Sequence, residues 1–106
     1  MKAVTVEPEG RLAVREHNDP EAGVGEVLVR IRAAGVNNAD LGQRAGLYPA
    51  PPGSPPDIPG LEFAGEVVAV GPSASRFLIG ARVMAVVGGG AQAEVAGFVE
   101  TAFRFR

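Results

Sequence analysis

Glu26-Val27-Leu28-Val29-Arg30-Ile31-Arg32-Ala33-Ala34-Gly35-Val36 is the stretch from which the architecture can be read. Val27, Val29 and Ile31 alternate with Leu28, Arg30 and Arg32, so the period is two and one face is plainly apolar, as in a half-buried strand. Downstream, residues 61–70 form a second strand turned by Gly71-Pro72-Ser73, and residues 81–87 a third, stopped by Gly88-Gly89-Gly90. Upstream, residues 2–6 and 12–15 read as short strands joined by Glu7-Pro8-Glu9-Gly10, with Pro and Gly in turn-like places. A last strand is predicted over 92–99. Asn38 reads as the cap of a two-turn helix, with Asp40 in its first turn and Gly46 ending it. Residues 47–59 hold six of the nine prolines, a stiff stretch longer than a connector needs. Strands do not alternate with long helices and nothing repeats. The sequence therefore predicts a mainly β, barrel-like domain with a short helix and a Pro-rich loop.

Composition bounds what such a domain does. At 106 residues the chain is one domain with a single modest core. Ten basic against twelve acidic side chains give a net charge of −2, which argues against a nucleic-acid binder. The absence of Cys excludes disulfides, thiolate zinc sites and cysteine nucleophiles. The longest aliphatic runs have strand length and cannot span a bilayer, and Met1-Lys2-Ala3-Val4-Thr5 starts no export signal, so a cytoplasmic location is expected.

Single motifs weigh little. Gly88-Gly89-Gly90 lacks a following Lys-Ser/Thr and reads better as a close approach of backbones than as a phosphate loop. Gly60 and Gly65 imitate a spaced-glycine motif but fall in a strand pattern, where packing accounts for them. His17, the only imidazole, reads as an exposed turn residue rather than a base. Pro52 to Pro55 and Pro56 to Pro59 fit P-x-x-P spacing without flanking basic residues.

Several ordered blocks together carry more. The stretch from Glu26 to Leu41 with Asn37-Asn38-Ala39-Asp40, then Gly46-Leu47-Tyr48-Pro49, then Pro59-Gly60-Leu61-Glu62-Phe63-Ala64-Gly65-Glu66-Val67, resembles the medium-chain dehydrogenase/reductase superfamily, in particular its zinc-independent quinone oxidoreductase branch. Gly80-Ala81-Arg82-Val83-Met84 and Gly88-Gly89-Gly90-Ala91-Gln92-Ala93-Glu94 continue the pattern. The resemblance implies a GroES-like distorted β-barrel over residues 1–95, followed by a divergent tail over 96–106, with no Rossmann domain in the chain. It implies the catalytic half of an enzyme that moves a hydride from NADPH to quinones or enones, homodimeric in its full-length form and without membrane or nucleic-acid partners. Asn37 matches the family asparagine beside the nicotinamide, and Tyr48 the aromatic that hydrogen-bonds the substrate oxygen. Zinc-dependent relatives carry Cys-His where Asn37-Asn38 stand and His where Leu61 stands, so no metal is expected. Asp40 and Glu62 match positions near that metal and here are expected to brace the helix and strand. Without its cofactor domain the chain is expected to be inactive alone. The rival reading is a stand-alone barrel binding module, with Phe98, Phe103 and Phe105 as an exposed patch.

Overall fold

The computed structural model describes residues 1–101 and 104–105. Strand β1 (Lys2–Val6) pairs antiparallel with β2 (Leu12–Glu16) across a 3-10 turn at Pro8–Gly10. The remaining strands are β3 (Glu26–Ala34), β4 (Glu62–Val70), β5 (Arg82–Val86), β6 (Val95–Val99) and β7 (Arg104–Phe105). They form one antiparallel sheet in the order β6-β3-β4-β5-β7. The fold class is as expected: mainly β, with one helix, α1 (Asn38–Arg44). β1 to β6 fall where the sequence places them, within three residues at the ends, whereas β7 was not foreseen.

The alternating valines are the core. Val27, Val29 and Val67 are almost wholly buried, and Phe63, Phe77, Val83, Ala85 and Phe98 close around them. β3 and β4 run close together, since a Cβ at Gly65 would collide with the Arg30 carbonyl. Two register shifts on the β3–β4 ladder bend the sheet around this core. The small sheet is tied on by an Ala3–Ala93 bridge and by Val4 N–H donating to the Gln92 carbonyl at 2.9 Å.

Two expectations need correction. His17 is half-buried, and its Nε2 lies 2.7 Å from the hydroxyl of Thr5, a buried residue of β1. A polar group inside the barrel wall needs a partner, and the ring supplies it. Phe98 is not part of an exposed patch: only 5% of its surface is accessible, and its ring meets Phe63 edge-on at 6.0 Å. Phe103 lies outside the described residues, and only the backbone of Phe105 is described. Residue Glu100 is buried as well, its carboxylate accepting the Ser75 and Arg76 N–H groups at 3.1 and 3.2 Å.

Candidate functional site

Helix α1 is framed at both ends by its own sequence. Asn37, not Asn38, is the N-cap: its backbone is extended, and Asn38 is the first helical residue. The Asn37 N–H donates to Asp40 Oδ2 at 2.8 Å, while the Asp40 N–H donates to the Asn37 carbonyl at 3.0 Å. An acid at the third helical position reaches back to the cap and complements the positive helix end. Asp40 Oδ2 also accepts from Gln92 Nε2 at 3.3 Å, tying the helix start to the chain beyond the glycine turn. Asp40 thus braces the helix as expected. Glu62 does not use its carboxylate this way: the side chain is exposed, lies over Gly35 and has no hydrogen-bond or ionic partner among the described residues.

At the other end Gly46 takes φ +77°. Leu47 N–H donates to the Gly42 carbonyl at 2.9 Å and Gly46 N–H to the Gln43 carbonyl at 3.1 Å, the paired closure of a Schellman cap. This reversal turns Tyr48 back over the helix: a Cβ added to Gly42 would sit 3.3 Å from that of Tyr48. Tyr48, a residue 52% exposed, borders a narrow crevice with Gln43, Pro49, Ala50 and Pro56. Asn37 does not line that crevice. Asn37 begins the helix, whereas Tyr48 folds back over its middle at Gly42, five residues on and roughly 7–8 Å along the axis.

The glycine turn is a seat for the Pro-rich loop. A side chain at Gly88 would collide with Pro51 and Ser54, and Gly90, at φ +89°, lies against Pro55. Gly90 N–H donates to the Ile58 carbonyl at 2.8 Å and Gln92 N–H to the Pro59 carbonyl at 3.0 Å. The backbone approach that glycine permits is filled by proline rings, leaving no cradle for a phosphate. Gln43 Nε2 reaches the Gly88 carbonyl at 3.4 Å, so helix, loop and turn form one unit. Asp40 Oδ1 and Gln43 Oε1 are buried there without a partner among the described residues. Gln43 and Gln92 were not legible in the sequence, because only the fold brings them to α1. The Asn37-x-x-Asp40 spacing was the one signal of the true cap. Among the described residues no three His, Cys, Asp or Glu side chains gather around one point.

Residues 23–102, which contain all of this, match the alcohol dehydrogenase GroES-like domain. The chain belongs to this family. Over 77 residues this GroES-like domain is 48% identical to a quinone oxidoreductase of Pseudomonas aeruginosa, covering 73% of the chain and 23% of the relative. It superposes on the human synaptic vesicle membrane protein VAT-1 homolog-like protein with a TM-score of 0.87 and 36% identity, over all of this chain and 35% of the other. An Escherichia coli quinone oxidoreductase complexed with NADPH gives a TM-score of 0.81 at 29% identity, covering 93% and 31%. The chain thus spans about a quarter to a third of the length of these relatives. No helix among the described residues is long and apolar enough to cross a membrane.

Proposed function

We propose that this GroES-like domain is the substrate-side half of a cytoplasmic, zinc-independent quinone oxidoreductase that uses NADPH to reduce quinones or enones. The observation that carries the reading is α1, which caps at Asn37 and, through its Gly46 stop, folds Tyr48 back over Gly42 within the family-matched segment. Val36, Leu41 and Leu47 are well exposed beside them, an apolar rim suited to a covering domain.

The residues fit one end of the cofactor only. Asn37, half-buried at the cap, offers a carboxamide that both donates and accepts, suited to the nicotinamide. The proline-filled glycine turn offers the pyrophosphate nothing. When bound, NADPH supplies the hydride. Tyr48 donates its phenolic hydrogen to the acceptor carbonyl and stabilises negative charge growing on that oxygen. The Pro-rich loop, stiff and seated on Gly88 to Gly90, holds the phenol in place and limits water.

The purified chain, mixed with NADPH and benzoquinone, is expected to show no sustained NADPH oxidation, and steady turnover would overturn the half-enzyme reading. Residue roles are testable in a chimera carrying residues 23–102 in place of the matched segment of the Pseudomonas enzyme. Tyr48→Phe should lower kcat roughly tenfold or more with the KM for NADPH unchanged. Asn37→Ala should chiefly raise the KM for NADPH. An unchanged kcat in Tyr48→Phe would remove the phenol from the chemistry.

A further inference from the structure

The cap of α1 carries more negative charge than its own hydrogen bonds use. Asp40 is only 7% exposed, and its Oδ2 takes both donors at the cap, the Asn37 N–H and the Gln92 amide. Its Oδ1 is buried too and has no hydrogen-bond partner among the described residues. Folded chains rarely keep a carboxylate oxygen out of water without a donor, so this one calls for a partner from outside.

Glu62 brings a second carboxylate to the same place. The Gly35 N–H donates to the Glu62 carbonyl at 3.1 Å, which fixes the start of β4 two residues ahead of Asn37. The Glu62 side chain lies over Gly35, where an added Cβ would collide with it. Gly35 does not take a positive φ, so the backbone makes no demand for glycine there, and the room is filled by Glu62. Among the described residues no hydrogen bond engages this carboxylate, and no cation pairs with either acid. Glu66, four residues on along β4, is the contrast, since Arg32 donates to it at 3.0 Å. The positive end of a helix offsets only about half a charge. The cap is left electronegative.

We propose that Glu62, backed by Asp40, makes this cap favour the oxidised, positively charged nicotinamide ring over the neutral reduced one. The proposal rests on the reading that Asn37 addresses the nicotinamide. The hydride carries its electron pair to the acceptor and leaves one unit of positive charge on the ring. A carboxylate with no cation of its own interacts most strongly with a charge that grows during the reaction, and so assists the transfer rather than mere binding.

Dissociation constants of NADPH and NADP+ for the chimera described above test this without turnover. Glu62→Gln should weaken NADP+ binding roughly three- to tenfold and NADPH binding by less than about twofold, the size of one screened charge. Gly35→Ala keeps the carboxylate but drives it from the cap, and should lose part of the same preference. Glu66→Gln, about 13 Å along the strand, should change neither constant. Equal weakening of both forms by Glu62→Gln would mean an ordinary hydrogen bond and overturn the proposal. So would no change in either, or an unaltered preference in Gly35→Ala. An unsubstituted chimera that binds neither form instead removes the half-enzyme reading, and the proposal with it. The 106-residue chain gives an independent measurement. 1-Methylnicotinamide, the bare cationic ring, should shift the Gly35 and Asn37 amide resonances more than neutral nicotinamide does, and Glu62→Gln should abolish the difference. Equal shifts from both rings, or none from either, overturn the electronegative cap.

Discussion

Gly46 stands at φ +77° with open space around the position of a Cβ, so a substitution there isolates backbone strain from packing. Gly46→Ala should cost about 1–2 kcal/mol, read as a lowered urea midpoint with an unchanged slope. Asp40 is the opposite case, buried and holding two donors at once, the Asn37 N–H and the Gln92 amide. Asp40→Ala should cost about 1–3 kcal/mol because both donors lose their acceptor. Its signature is faster amide exchange at Asn37, and a protected Asn37 amide in the variant would refute this account of the cap. Single residues were legible to different depths. Glycine at the helix stop could be read because φ preference is local, whereas Gln92 beside Asp40 depends on a contact between residues 52 positions apart.

Two exposed ion pairs couple elements. Arg15 of β2 bonds Glu7 ahead of the 3-10 turn at 2.8 and 3.3 Å, and Arg32 of β3 bonds Glu66 of β4. The Arg15 hydrogen bond holds the Glu7 carboxyl below its ordinary range. Glu66 is lowered by its hydrogen bond to Arg32 and then by that charge, with Arg30 and Arg82 adding to it. A folded pKa below the unfolded one gives stability that is present above the ordinary Glu value of about 4.3 and lost as pH falls through the folded value. The Tm should therefore drop on acidification through that window, modestly, and 0.5 M salt should flatten the drop because both pairs are solvent-exposed. A Tm whose fall is equally steep in Arg32→Gln would disconnect Glu66 from it. The loop between β4 and β5 depends instead on Glu100: Glu100→Ala should speed exchange at the Ser75 and Arg76 amides with little change elsewhere.

For the molecule as a whole, the large sheet gains its β6 edge only with the segment from Val95 onward. β6 pairs with β3 over five residues, from Glu26 opposite Val99 to Arg30 opposite Val95, and delivers Ala96 and Phe98 to the core. Phe98→Ala should cost about 3–5 kcal/mol, and truncation after residue 95 should abolish the cooperative thermal transition. A truncated chain that melts cooperatively would show that the other strands suffice.

Local sequence determined the strands, the helix and its glycine stop, because side-chain period, φ preference and capping chemistry act within a few residues. Val27 and Val29 alternate into the core without help from distant partners, and ordered blocks from Glu26 to Glu94 were enough to indicate the family. Tertiary structure decided the rest. It seated the prolines on Gly88 to Gly90, gave His17 to Thr5, buried Phe98 against Phe63 and brought Gln92 to Asp40. Each is a contact between distant segments, fixed by strand order and register, and none is encoded in any short window of the chain.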